Sequence, residues 1–271
     1  MPVACSPAAV AADLDAIRTR GPFVVSITNY VVANTTANAL LALGASPAMT
    51  HARKEVAEMT ALCQALVVNM GTVTDAYLEA IPPAWESARD HHVPVVLDPV
   101  AAGATALRRN LARELLRRYI PAIIRGNASE ILFCAGEQST AKGPDSLQHT
   151  AEAEDAAIRL ARDKGCTVCV SGEVDFLTDG TRALRLFNGH ALMPRVTGLG
   201  CTATAVCAAF AAVQPDAFLA ACHAMAVMGI AGEMAAEQSA GPGTLQLHLY
   251  DCLYAMQQAD IAARLRQEPV V

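Results

Sequence analysis

The chain has 271 residues, of which 53% are hydrophobic and only 17% charged, with a formal net charge of −6. Such a composition can bury a sizeable core and excludes a disordered chain, and the acidic balance argues against nucleic acid as a partner, which needs clustered Lys and Arg. The nine cysteines, an odd number scattered from Cys5 to Cys252, do not resemble a secreted disulfide framework and point to a reducing cytoplasm.

The first fifteen residues hold no Lys or Arg ahead of an apolar core, so no ordinary signal peptide is expected. An early apolar strand, Phe23-Val-Val-Ser-Ile27, runs into Thr28 and Asn29. Residues 34–43 read as a helix stopped by Gly44, and residues 53–63 have helical character. Ala65-Leu-Val-Val-Asn69 reads as a strand, a polar helix follows around 74–91, and the apolar run before Asp98 is another strand. A helix at roughly 109–118 precedes Pro121-Ala-Ile-Ile-Arg-Gly-Asn127, a strand ending near Arg125. Short apolar strands separated by helices are the pattern of β-α-β units and a parallel sheet.

The pattern changes around 166–193. Three strand-like runs follow closely, and Asp179-Gly180 and Asn188-Gly189 are hairpin signals between and after them. Cys166 and Cys169 form a C-x-x-C within a strand-like run, where residues three apart point to opposite faces, so neither a zinc nor a redox pair is expected. From Cys201 to Gln258 the chain reads as almost entirely helical. Its most apolar stretch, from Ala217 to Gly232, is short for a membrane span and reads as a buried helix. His91 and His92 lack metal-ligand spacing and read as surface residues. Together these segments predict one α/β domain over residues 1–271: a mainly parallel sheet with an antiparallel edge, flanked by helices.

In open parallel sheets ligands bind beyond the carboxyl ends of the strands, which makes Asp98, Arg125 to Asn127, Ser171 and the turn at 198–200 the first candidates. The turn Val196-Thr-Gly-Leu-Gly-Cys201 runs straight into a helix-like stretch. Its glycines and the unpaired first amides of the helix suit an anion hole, or else form an ordinary strand-to-helix connection. Cys201 at that helix start is expected to have a lowered thiol pKa, the alternative being a simple buried thiol. Asp98 reads as a carboxylate facing a metal-bound phosphate or as a turn former. Arg125 could pair with phosphate and Glu130 could hold magnesium-bound water, against a capping role for Asn127, Ser129 and their neighbours. Asn29 reads as facing the same cleft, and Met49 as lining an apolar pocket or merely filling a gap. No Walker A, Gly-x-Ser-x-Gly or His-Glu-x-x-His pattern occurs.

Several blocks, taken in order, resemble the hydroxyethylthiazole kinases. They are Ser26 to Asn38, Leu40 to Met49, Asn69-Met-Gly-Thr72, Val95-Val-Leu-Asp-Pro-Val100, Ile123 to Glu130, Ser171-Gly-Glu-Val-Asp175, Asn188-Gly-His190 and Ala240-Gly-Pro-Gly243. The resemblance implies a three-layer α/β/α ribokinase-like fold, a cytoplasmic homotrimer, and ATP- and Mg2+-dependent phosphorylation of 4-methyl-5-(2-hydroxyethyl)thiazole in thiamine salvage. It also implies roles. Met49 and Gly198 would contact the thiazole, and Arg125 and Ser171 would bind ATP. Asp98 and Glu130 would serve the magnesium–phosphate region, the latter through water. Asn29, Thr197, Gly198 and Gly200 would frame the anion hole, and Cys201 stands where many ribokinase-like kinases carry an Asp base. The chain departs from the family pattern at Ala101 (usually Gly), at Leu199 (usually Thr) and at Ser171 (commonly Thr). A related hydroxymethylpyrimidine kinase and a catalytically silent nucleotide-binding regulator are the alternatives.

Overall fold

The computed structural model describes residues 5–137 and 147–270. Its strands are β1 (Phe23–Ile27), β2 (Ser46–Met49), β3 (Ala65–Asn69), β4 (Val95–Asp98), β5 (Ile123–Asn127), β6 (Thr167–Ser171), β7 (Asp175–Thr178), β8 (Ala183–Leu186) and β9 (Gln267–Val270). They form a single sheet in the order β2-β1-β3-β4-β5-β6-β7-β8-β9. Pairing is parallel from β2 across to β6, then antiparallel through β7, β8 and β9. The antiparallel edge expected from the sequence is therefore present.

Alternation along the strands divides the core into two layers. Val24, Val67, Val96, Ile123, Cys169 and Leu177 face one layer. Val25, Val68, Leu97, Ile124, Val168 and Phe176 face the other. The first layer is covered by α1 (Pro7–Arg20), α2 (Ala33–Leu43), α8 (Leu199–Ala211), α9 (Ala217–Glu237), α10 (Pro242–Ala255) and α11 (Gln258–Arg264). The second is covered by α3 (Val56–Leu62), α4 (Asp75–Asp90), α5 (Ala106–Arg118), α6 (Ala128–Cys134) and α7 (Leu147–Lys164). This is the three-layer α/β/α arrangement. Cys166 and Cys169 lie in opposite layers, as a strand requires.

Local chemistry starts these helices. Thr74, Thr105 and Asp216 each accept backbone amides as N-caps of α4, α5 and α9. Asn127 and Glu130 form a reciprocal capping box on α6. The apolar stretch around 217–232 is α9, a helix long and apolar enough to cross a membrane, but largely buried in the first layer.

The hairpin expected at Asn188-Gly189 does not form. Asn188 instead donates to Glu233 Oε1 (3.0 Å) and the Arg264 carbonyl (2.8 Å), and accepts from the Arg266 amide (2.9 Å). Its side chain thereby ties β8 to α9 and to the C-terminal β9, which is the strand that pairs with β8. Asp179-Gly180 does make its turn, between β7 and β8.

The strand order places a switch point at β1. From β1 the chain crosses over the first layer through α2 to reach β2 on one side; it then returns under the second layer through α3 to β3 on the other side. The loops leaving β1 and β3 consequently part from each other at their carboxyl ends, which opens a crevice there.

Candidate active site

The crevice is lined by polar residues that end consecutive strands. Asn29 follows β1, Asn69 ends β3, Asp98 ends β4, and Asn127 and Ser171 end β5 and β6. In the sheet register Asn69 lies beside Asp98, and Asn127 beside Ser171. The start of α8 comes down onto these ends. Its residues from Thr202 to Phe210 are all buried and mostly small, which brings the helix close to the sheet.

Hydrogen bonds join the crevice into one network. Asn69 Nδ2 donates to Asp98 Oδ2 (2.7 Å), and Thr204 Oγ1 donates to the same oxygen (2.8 Å). Asn29 Nδ2 donates to Asn69 Oδ1 (2.8 Å) and lies 3.6 Å from Cys201 Sγ. Asp98 Oδ1 has no protein donor among the described residues. Beneath the network, Tyr77 donates to the Asn69 carbonyl, and Arg108 donates to the carbonyls of Met70, Gly71 and Val100. These contacts pin the loops after β3 and β4 together.

Arg125 lies on the other side of Asp98. It is 9% exposed, donates through Nη2 to Ser171 Oγ, and leaves its buried Nε without a partner. A Cβ on Gly200 would lie 2.8 Å from Arg125 Nη1, so glycine is what allows the guanidinium to sit against the turn. Gly198 caps α8 with φ +81°, and a Cβ there would come within 2.2 Å of Val32. The amides of Leu199, Gly200 and Cys201 have no hydrogen-bond partner among the described residues, as expected of a helix start. Unpaired amides, a helix N-terminus and a buried guanidinium together make a site for a multiply charged anion.

Electrostatics separate the acidic groups. Burial pushes Asp98 up to about 6, with Glu130 adding to the rise and Arg125, Thr204 and Asn69 opposing it. Burial likewise raises Asp175 to about 7, against the Gly172 amide and Arg125. Burial disfavours the Arg125 charge, but the nearby carboxyl groups of Asp98, Glu130 and Asp175 more than offset it and raise its pKa. The expected low pKa of Cys201 is overturned: burial drives the thiol up to about 11 and the Asp98 charge adds to this. Cys201 is a neutral thiol at physiological pH, since desolvation of a thiolate there exceeds the help from Asn69, Arg125 and Asn29.

The structure thus joins Asn29 to Cys201 directly and to Asp98 through Asn69, with Arg125, Ser171, Gly198 and Gly200 alongside. Met49 is half-buried at the end of the edge strand β2, next to Ser26 of β1. Thr197 is exposed just before the turn. Glu130 takes the capping role: its two carboxylate oxygens accept the amides of Ala101 and Asn127, each at 2.8 Å. Two network members, Asn69 and Thr204, carried no role in the sequence reading, although both lay within segments it singled out. Ala101 adopts φ +53°, a left-handed conformation at a position where glycine is the unstrained choice.

Comparison with known proteins bears on the chemistry. The sequence pattern of the Hydroxyethylthiazole kinase family matches residues 14–259. A hydroxyethylthiazole kinase of Syntrophus aciditrophicus is 56% identical over 94% of this chain and 95% of its own length. One from Vibrio parahaemolyticus is 48% identical over 93% of this chain and 95% of its own. The solved structure of a hydroxyethylthiazole kinase protein from Pyrococcus horikoshii superposes with a TM-score of 0.89 at 40% identity, covering 97% of this chain and 99% of that one. A pyridoxal kinase of Staphylococcus aureus in complex with ADP shares the fold at 16% identity and a TM-score of 0.64.

Two stability predictions arise from this geometry. Ala101→Gly should raise unfolding stability by roughly 0.5–1 kcal/mol in thermal or denaturant melts, because it relieves the left-handed strain at some entropic cost. Asp175→Asn should stabilise the protein at pH 8.5 by roughly 1–3 kcal/mol. The folded-state pKa of about 7 lies above the usual 3.8, so the wild type loses stability as pH rises through 7. The advantage of the asparagine should therefore shrink as pH falls and vanish below about 4.

Proposed function

The chain belongs to the hydroxyethylthiazole kinase family, and from that premise we propose that it transfers the γ-phosphoryl group of ATP to the primary alcohol of hydroxyethylthiazole, a step of thiamine salvage, at the crevice between Asp98 and the start of α8. The single observation that carries the placement is Arg125. A buried guanidinium with an unpaired Nε, pressed against a glycine turn with free amides, is costly unless an anion completes it.

Phosphoryl transfer depends on positioning and on stabilising charge spread over the transferring group. The amides of Leu199, Gly200 and Cys201 would receive that charge, with Arg125 and Ser171 holding the nucleotide phosphates. Thr197, Gly198 and Gly200 frame the hole with Asn29, while Gly198 and Met49 bound the space for the thiazole. Asp98, with one oxygen free and a pKa near 6, is better suited than the Cys201 thiol to take the alcohol proton at neutral pH. Cys201 then acts by hydrogen-bonding the attacking hydroxyl.

Magnesium is implied by the family. No cluster of three or more His, Cys, Asp or Glu able to hold a metal occurs among the described residues. Asp98 and Glu130 nonetheless fit an ion carried in on the nucleotide if both reach it through water, which leaves the free Asp98 oxygen for the alcohol proton, since magnesium keeps several waters and fills its remaining positions with phosphate. Bound there, it would neutralise phosphate charge.

We assign the active assembly as a homotrimer in a reducing cytoplasm. Tyr30 and Val31, directly after Asn29 at the crevice rim, are 63% and 65% exposed, an apolar edge suited to cover by a neighbouring subunit. All nine cysteines are free thiols, in keeping with a reducing compartment. One sheet across the whole chain supports a single kinase domain.

ADP release from purified protein with ATP and magnesium should respond to the thiazole, and not to hydroxymethylpyrimidine or ribose. Asp98→Ala should lower kcat by ~100-fold or more, Cys201→Ala by ~10-fold, and Cys201→Asp should remain active. ATP binding without turnover on any alcohol would overturn the enzymatic reading, and equal loss in all three variants would overturn the assigned roles. Light scattering should give about 85 kDa, three times the 28.3 kDa chain; a 28 kDa species in active protein would rule out the trimer.

A further inference from the structure

Asn69 belongs to no role so far, yet it is the residue through which the crevice acquires its polarity. Its side-chain amide is surrounded by partners that each allow one orientation only. The Asp98 carboxylate can only accept, so Nδ2 must face it at 2.7 Å. The Gly71 amide can only donate, so Oδ1 must face that side at 2.9 Å. Asn29 is constrained in turn: its Oδ1 accepts the Val32 amide at 3.2 Å, which leaves Nδ2 to bridge Asn69 Oδ1 and Cys201 Sγ. Gly71 is part of the same fit, because a Cβ there would lie 2.4 Å from the Asn29 side chain.

Donation therefore runs outward from Asn29, to the Cys201 sulfur on one side and through Asn69 to the Asp98 carboxylate on the other, across two fixed amides. Each amide offers its oxygen to one neighbour and its nitrogen to the next, so reversing one would unsatisfy both ends. Two consequences reach the reacting groups. The sulfur of Cys201 is engaged as an acceptor, which leaves its S–H hydrogen free to point away from Asn29. At Asp98, Oδ2 is saturated by Asn69 and Thr204, which leaves Oδ1 as the oxygen offered to the crevice.

We propose that Asn69 is a positioning residue for the phosphoryl transfer, aligning Asp98 and Cys201 on the acceptor alcohol through the Asn29–Asn69–Asp98 chain that spans the β1/β3 switch point. This rests on the catalytic reading above, and it adds a residue that touches neither nucleotide nor alcohol. A role in positioning predicts a loss in kcat, since misplacement of about 1 Å is enough to cost ~100-fold. A merely structural role predicts a lower Tm with catalysis unchanged at temperatures where the variant remains folded.

The test combines kinetics with a measurement that needs no turnover. Asn69→Ala should lower kcat by ~10- to 100-fold while the KM for ATP moves less than ~3-fold. Asn69→Ser keeps a partner for the Gly71 amide and serves if the alanine variant does not fold. In a double-mutant cycle with Cys201→Ala, the Asn69 effect should shrink, because the sulfur at the end of the chain is gone. In the nucleotide-free protein, Asn69→Ala should slow iodoacetamide modification of Cys201 several-fold, followed by peptide mass; Cys201 and Cys134 are the two cysteines that are not fully buried. Unchanged kcat, strictly multiplicative effects, or an unchanged alkylation rate would overturn the proposal. A wild-type protein that does not turn over would defeat the kinase reading alone, and the alkylation rate would still decide for or against the chain of amides.

Discussion

Everything at the crevice is organised around the burial of Asp98. A carboxylate that is 1% exposed loses its water, and the structure returns two donors to one of its oxygens and a guanidinium nearby. These groups come from different elements: the donors Asn69 from β3 and Thr204 from α8, the Arg125 charge from β5. Holding them in place requires the parallel register of β3 beside β4 and a helix of small residues able to lie close above both. The compensation is incomplete, as the raised pKa of Asp98 records. A group left under-compensated in a cleft is poised to interact with a ligand rather than to stabilise the fold.

Most strands and helices were legible because their signals are local, apolar runs that end in polar residues and helices with capping side chains; β2, whose Ser-Pro-Ala-Met carries no apolar run, was not. Two of the failures share a cause in distant partners. The Asn188-Gly189 pair favours a hairpin by itself, but Asn188 finds better partners in Glu233 and the backbone of residues 264 and 266. Gln267–Val270, polar and containing Pro269, becomes a strand only because β8 offers an open edge. The opening helix was missed despite its Ser6 cap and Pro7 at the first turn.

The candidate site was legible to the extent that strand ends could be named, which includes Asp98, Arg125 and Ser171. Its connectivity was not. Asn29 and Asn69 are forty residues apart and meet because β1 and β3 are neighbours in the sheet, a fact of strand order that periodicity does not carry. The thiol of Cys201 was misjudged for a related reason. A position at a helix start is visible in sequence, whereas the depth of that start is not, and depth decided the sign of the shift.

The departures from the family pattern fall where this physics tolerates them. Leu199 replaces a hydroxyl at the first position of α8, yet an anion at a helix start is held by backbone amides, which any residue except proline supplies, and the leucine side chain packs on the first core layer instead. Gly198 and Gly200 on either side have no such latitude, since a methyl group at either would collide with Val32 or displace Arg125. Ala101 lies between these cases: its amide is held by Glu130, and the strain of its left-handed backbone is small enough for that hydrogen bond and the surrounding turn to offset. Substitution is thus free where the side chain points away from the crevice, strained where only the backbone is special, and forbidden where the Cβ itself would occupy the site.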